Sequence, residues 1–281
     1  MPITTDSVRT YYDENTNLFL KFSGHKKAQN IHRTLWMENT KSIEDAPNTS
    51  NALIKAEIES VAQTNARIAD LGCGVGASLF YIYPRLQQPA PALGLTLSPV
   101  QARLAQESAK QLGLQDHIRF AEGDFTSVPL PGEALDAVYS VEAVCHAVDP
   151  EKYFKEAGRL LRKGGKLILV DDYKSARSFN SSEQKWFDAY IDGWYVPGVR
   201  TVEQTIAFAN KHGLQLKKND ELTPHLRLRN LPDFLASALL FLGEKLPIKH
   251  AIFPSMLGSM ALQQCLHMKI VEYRMLVFEK N

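Results

Sequence analysis

The sequence predicts an α/β fold: a doubly wound, mostly parallel seven-stranded sheet, with a helical segment ahead of it and helical cover inserted late in the chain. Three observations carry that expectation. From about Arg67 to Tyr173, apolar runs of strand length alternate with helical stretches, the pattern of a parallel sheet with helices on both faces. The first run, Arg67 to Ala77 (RIADLGCGVGA), ends in three alternating glycines, which suits a buried strand turning tightly into a helix. Residues 272–280 (EYRMLVFEK) alternate well enough to form a closing strand.

The elements follow in order. Residues 1–65 have helical stretches but no strand alternation and form an expected helical lid, with few large apolar side chains among residues 1–30 outside Phe19, Leu20 and Phe22. Residues 66–281 form the core. Its second strand is read in PALGLTLSP (residues 91–99), followed by a helix from Pro99 to Leu112. HIRFAEGDF (117–125) supplies the third strand and LDAVYSVEA (135–143) the fourth. Residues 153–173 then read as an amphipathic helix, a stop at Gly164-Gly165 and a fifth strand. A sixth strand lies near Leu214–Glu221. Cap segments fall within about 175–268, including a Leu-rich stretch, Leu231–Leu246, that suits a pocket helix or a contact between subunits of a homo-oligomer.

Composition narrows the function classes. Among 281 residues, 32 basic and 31 acidic side chains leave a net charge of +1, which argues against a dedicated nucleic-acid surface. Cys73, Cys145 and Cys265 are few, odd in number and far apart, so neither a disulfide framework nor a metal cluster is expected. The amino terminus lacks an apolar signal core, and no run reaches the ~18 to 20 apolar residues of a membrane span. The expectation is a cytoplasmic protein without stable membrane insertion.

The sharpest motif is Asp70-Leu-Gly72-Cys-Gly74-Val-Gly76, because alternating glycines let backbone approach a ligand at the carboxyl end of a strand. The segment also satisfies the loose dinucleotide pattern. A dinucleotide site, however, usually places an acid ~20 residues on to bind ribose, and here Gly94-Leu-Thr96-Leu97-Ser98 occupies that place. After the third strand comes Glu122-Gly-Asp124-Phe125. Asp124 suits an adenine amino group, or a bare loop cap, and Phe125 suits the adenine ring.

Together these positions resemble the class I S-adenosylmethionine-dependent methyltransferases. GLTLSPVQ (94–101) is similar to the branch that contains the sterol, tocopherol, mycolic-acid and prenyl methyltransferases. YSVEAVCHA (139–147) resembles the sterol C-methyltransferases nearly residue for residue. The resemblance implies S-adenosylmethionine as cofactor, with Asp70 pairing its ammonium, the backbone of Gly72, Gly74 and Gly76 beneath it, and Thr96, Leu97, Gln101, Asp124 and Phe125 around it. It also implies that Tyr12 reaches the cofactor carboxylate from the lid, with His32 and Trp36 at the pocket entrance or simply docked on the core.

The chemistry implied is C-methylation of a small apolar, isoprenoid-like alkene: a prenyl diphosphate, a prenylated metabolite or a sterol. Methyl transfer to an alkene leaves a tertiary carbocation, and a nearby carboxylate both steadies it and takes its proton. Glu142 is the candidate base, and His146 either assists or only orients its neighbours. Glu142 as a helix cap or salt-bridge partner is the plainer alternative. O- or N-methylation of a small metabolite, with His146 as base, is the competing reaction. No metal is required, although a diphosphate would recruit Mg2+ through Asp171 or Asp172. Trp186, Phe187, Tyr190, Trp194 and Tyr195 form either a core stripe or rings facing a cationic intermediate.

Overall fold

The apolar runs become strands and the amphipathic stretches helices in a computed structural model that describes residues 2–22, 32–38, 40–228 and 252–281. Five strands run parallel: β1 (Ile68–Leu71), β2 (Ala92–Thr96), β3 (Ile118–Glu122), β4 (Leu135–Val141) and β5 (Leu161–Lys174). β7 (Val271–Lys280) inserts antiparallel between β5 and β6 (Leu214–Glu221). The order across the sheet is β3-β2-β1-β4-β5-β7-β6. The chain steps outward from β1 to β3 and then crosses to β4 on the other side of β1. An open sheet has its crevice at the carboxyl ends of the strands beside that reversal.

Every residue of β1 and β4 is buried, as central strands covered on both faces require. One face is covered by α2 (Thr49–Glu59), α3 (Ala77–Ile82) and α4 (Pro99–Gln111), which bring Ile54, Ile58, Leu79 and Ala105 into a single core. The other carries α5 (Pro150–Leu160) and α7 (Val202–Lys211), with Tyr153, Phe154, Leu160 and Ala209. Each fully buried large apolar side chain contributes about 1.5–3 kcal/mol. α2 is therefore part of the sheet's own core although it lies within residues 1–65. A third cluster joins α6 (Ser181–Trp194) to α8 (Ile252–His267) through Trp186, Phe187, Tyr190, Leu262 and Cys265.

Helix starts follow side-chain chemistry. The Ser98 hydroxyl accepts the Gln101 amide proton at 3.1 Å, and Asn180 and Thr201 open α6 and α7 with reciprocal capping boxes to Glu183 and Gln204. Such caps are worth about 1 kcal/mol each. The glycine pair of residues 164–165 does not stop α5, contrary to the sequence reading. The helix ends at Leu160, and β5 is already extended at Leu161, which pairs with Leu135. The glycines instead occupy the irregularity before Lys166 pairs with Ala137, where Gly164 adopts φ +73°. Among the described residues no helix is long and apolar enough to cross a membrane. The Leu231–Leu246 stretch lies outside the described residues.

Candidate active site

A cavity of about 720 Å³ opens at the carboxyl ends of the parallel strands. The turns that follow β1, β2 and β3 make its first wall. Gly72 and Gly74 sit on that wall with φ of +94° and +52°, conformations that side chains other than glycine rarely adopt. A Cβ on Gly72 would lie 2.4 Å from that of Ala143, while one on Gly74 would meet nothing within 4 Å. Gly74 thus presents bare backbone to the cavity. Gly76 does not line it: its Cβ would strike the Phe120 ring at 2.6 Å, so this glycine serves packing.

Asp70 is also off the wall. It is 2% exposed at the end of β1, and burial away from water pushes its carboxyl up to about 8. A buried, mostly protonated acid thus stands behind the turn. Thr96, Leu97, Gln101, Asp124 and Phe125 all reach the cavity. The Thr96 hydroxyl donates to Gln101 Oε1 at 2.7 Å, Asp124 Oδ1 accepts the Thr126 amide proton at 2.8 Å, and Phe125 meets Tyr153 edge-on at 5.1 Å. Asp124 is therefore a loop cap and a wall residue at once. The sequence reading missed two anchors here: Asp13 accepts the Ser98 hydroxyl, and Arg9 pairs with Glu122 at 3.3 Å, fastening helix α1 (Thr5–Phe22) to this side.

The turn after β4 supplies the inner end. Glu142 has φ +50°, a conformation that costs a residue with a Cβ about 1 kcal/mol or more and that clusters at functional sites. Its amide donates to Val170 O at 2.8 Å. Its Oε1 accepts from the Arg33 amide at 3.0 Å and the Tyr273 hydroxyl at 2.8 Å, and Oε2 has no hydrogen-bond partner among the described residues. His146 stands on the same turn with Nδ1 2.9 Å from Tyr195 O. A carbonyl only accepts, so Nδ1 carries the proton and Nε2 accepts the Tyr12 hydroxyl proton at 2.6 Å. Tyr12, expected on the cofactor carboxylate, is thus bonded to the imidazole. Burial lowers the His146 pKa to about 4, so the ring is neutral at pH 7.

The two aspartates that end β5 have separate partners. Asp171 Oδ2 accepts the Cys145 amide proton at 3.0 Å and Oδ1 that of Asp172 at 2.8 Å, which holds the turn carrying His146. Asp172 receives both arms of the Arg33 guanidinium and the Tyr190 hydroxyl, the latter at 2.6 Å. Neither presents an open carboxylate to a cation, and among the described residues no three His, Cys, Asp or Glu side chains group as a metal site.

The outer wall comes from α1, α6, α8 and residues 226–228. Phe19 stacks on Trp194 at 6.1 Å, Tyr11 stacks on Tyr195 at 4.9 Å, and the Tyr11 hydroxyl meets Ser255 Oγ at 2.8 Å. Of the aromatic stripe, Tyr190 and Trp194 line the cavity, whereas Trp186 and Phe187 are buried in the third core cluster. The core-stripe reading describes Trp186, Phe187 and Tyr190, and Tyr190 and Trp194 also reach the cavity. His32 reaches the cavity, with Nε2 3.3 Å from Ser78 Oγ. Trp36 instead packs under the Arg227 guanidinium, 3.2 Å from its ring centre.

Residues 69–169 match the family described as a methyltransferase domain. Those residues therefore carry a methyltransferase domain. The methyltransferase is 27% identical over 210 residues to the chloroplastic tocopherol O-methyltransferase of Arabidopsis thaliana, covering 73% of this chain and 56% of that protein. It is 26% identical to cycloartenol-C-24-methyltransferase 1 of Oryza sativa subsp. japonica, covering 75% of this chain and 60% of the relative. The chain spans about half the length of the curated relatives it matches. Among solved structures, geranyl diphosphate methyltransferase in complex with GPP and sinefungin superposes with a TM-score of 0.75 over 99% of both chains, at 18% identity, a likeness of fold.

The wall fits S-adenosylmethionine, the cofactor that the sequence resemblance implies. Bare backbone at Gly74, where a Cβ has open space, leaves room for a ligand to lie against the turn, and Leu97 and Phe125 give that wall apolar surface. These features sit beside Thr96 and Gln101, two buried polar side chains that bond each other at the cavity's edge.

Proposed function

We propose that the protein methylates a carbon of an apolar, isoprenoid-like alkene and that Glu142 removes the proton that completes the reaction. The observation that carries this reading is one carboxylate whose second oxygen has no hydrogen-bond partner among the described residues, on a cavity whose outer wall is mainly apolar. S-Adenosylmethionine supplies an electrophilic methyl group when bound. Gly72, Gly74, Thr96, Leu97, Gln101, Asp124 and Phe125 would hold it on the strand-end wall.

Attack by the alkene's π electrons on that methyl carbon would break its bond to sulfur, the pair staying on the departing thioether, and leave a tertiary carbocation on the neighbouring carbon. Val8, Phe19, Trp194, Leu262 and Leu266 exclude water from it. Glu142 Oε2 takes a proton from a carbon adjacent to the cation, the C–H electron pair becomes the new alkene, and the carboxylic acid later returns the proton to solvent. Tyr190 offers an aromatic face to the cation, worth ~2 kcal/mol or more when desolvated. The acceptor is a prenylated metabolite, a sterol or a prenyl diphosphate, as the C-24 methyltransferase relative supports for the sterol class. Within residues 1–65, α1 and residues 32–36 serve as the lid. Within 175–268, α6 and α8 serve as the cap.

Transfer to oxygen or nitrogen has one observation in its favour, the accepting Nε2 of His146, and an O-methyltransferase relative supports it. A base with a pKa of about 4 is poorly matched to a phenol or alcohol but adequate for the acidic C–H of a carbocation. The deciding experiment incubates wild type and Glu142→Gln with methyl-labelled cofactor and a panel of sterols, prenylated metabolites, prenyl diphosphates and phenols, with products read by mass spectrometry. Glu142→Gln is expected to lose roughly 10²- to 10⁴-fold in product formation while keeping cofactor affinity. A near-normal rate with the same single product would remove Glu142 from the chemistry.

A further inference from the structure

Glu142 is restrained by a closed ring of contacts that runs through two residues with no part in the chemistry described above. The Arg33 amide and the Tyr273 hydroxyl both donate to Oε1, so that oxygen is fixed from two directions. The two donors also fix one another, because the Arg33 guanidinium lies over the Tyr273 ring, 4.6 Å from its centroid. The far side of the guanidinium is forked by Asp172, whose second oxygen also receives the Tyr190 hydroxyl. Two parts of the fold, residues 32–36 and β7, therefore meet on the Glu142 carboxylate, and the end of β5 holds Arg33 from behind, itself bonded by α6 through Tyr190. Tyr273 is fully buried and Asp172 is 4% exposed, so their ends of these bonds are shielded from water.

We propose that Tyr273 and Arg33 are positioning residues that aim Glu142 and thereby select which carbon loses its proton. This rests on Glu142 acting as the base. A carboxylate held at one oxygen by two donors has its second oxygen on a fixed bearing. A carbocation flanked by several C–H bonds is then deprotonated at the one that Oε2 faces. With the hydroxyl gone, the carboxylate pivots about the remaining Arg33 amide and reaches more than one hydrogen. The consequence is a change in product identity as well as rate, which a purely structural role would not bring about.

The test compares wild type, Tyr273→Phe, Arg33→Lys and Glu142→Gln for kcat, KM and alkene isomer ratio with the best acceptor of the panel. Tyr273→Phe is expected to lower kcat roughly tenfold, the worth of one charge-assisted hydrogen bond, with KM for both substrates within about twofold. A second alkene isomer should appear at about a tenth of product or more. Arg33→Lys keeps the backbone donor and the charge but loses the fork to Asp172, and is expected to give the same isomer with a smaller fraction. If Glu142→Gln is inactive while Tyr273→Phe and Arg33→Lys give wild-type kcat and one isomer, the positioning role is overturned and the base assignment stands. If Glu142→Gln itself is normal, the reading of the base fails first. Should Tyr273→Phe not fold, Arg33→Lys alone decides, by the presence or absence of the second isomer.

Discussion

The two sides of the cavity are built in different ways. On the proposed cofactor side the wall residues end a strand or follow one within a few positions: Gly72 and Gly74 after β1, Thr96 at the end of β2 with Leu97 and Gln101 after it, Asp124 and Phe125 after β3. On the acceptor side the contacts join distant parts of the chain. Tyr12 meets His146 across 134 positions, Arg33 meets Glu142 across 109 and Asp172 across 139, and Tyr273 meets Glu142 across 131. A wall made of strand-end turns inherits its shape from the sheet and serves a constant ligand. A wall assembled by packing separate helices changes with each side chain, which suits it to define an acceptor.

The largest effect that sharpens this contrast is expected at Gly74. Gly74→Val places a branched side chain where nothing lies within 4 Å, on the cofactor's wall, at φ +52°. Cofactor affinity measured by calorimetry should fall by about 100-fold or more, with about 1–2 kcal/mol of stability lost to backbone strain. Gly76→Val is the control. Its side chain collides with Phe120 in the core, so it should lose chiefly stability, read as a fall in melting temperature. If the two variants lose affinity and stability in the same proportion, the division between a ligand-facing and a packing glycine is wrong.

A smaller effect separates the acceptor wall from the cofactor wall. Phe19 lines the cavity and stacks on Trp194, joining α1 to α6 far from the glycine turn. Phe19→Ala should raise KM for the acceptor by about tenfold, the worth of a lost aromatic contact of ~1.4 kcal/mol, while cofactor affinity stays within about twofold. A matching loss of cofactor affinity would show that α1 closes both sites as one body. That outcome has a physical route, because Asp13 and Arg9 on the same helix hold Ser98 and Glu122.

The same contrast explains what was legible in the sequence. The strands, their order of appearance and the strand-end positions could be read because apolar alternation and alternating glycines are local signals. The meeting of Tyr12 with His146 carries no such signal. A tyrosine and a histidine 134 positions apart become partners only once α1 has docked, through Tyr11 on Ser255 and Tyr195, over the turn after β4. Arg33 was unreadable for the same reason: its two carboxylate partners come from the turn after β4 and the end of β5. Gly164-Gly165 misled because a glycine pair after an amphipathic stretch is also the mark of a helix stop. In the fold the pair relieves an irregularity between β4 and β5 instead.

The smallest expected change in binding concerns Asp70, which lies on the cofactor side yet off its wall. Its motif implies a ligand, and its burial implies a neutral post beneath the turn. Asp70→Asn keeps the shape and removes the ionisation. If the acid is a post, cofactor affinity should change by less than about threefold at pH 7. Stability then discriminates further. The folded carboxyl has a pKa of about 8, against an ordinary Asp value near 4 in the unfolded chain. Between those values the folded state holds a proton that the unfolded state has released, so wild-type stability attributable to this group falls as pH rises from about 4 to 8. The Asn variant lacks that loss. Its stability relative to wild type should therefore climb across the same window and level off above it, by an amount on the order of 1–3 kcal/mol. Denaturant melts at pH 5, 6.5 and 8 measure the trend. A flat difference between the two proteins, together with a tenfold or greater loss of cofactor affinity in the Asn variant, would make Asp70 an ionised ligand and extend the cofactor wall to the strand itself.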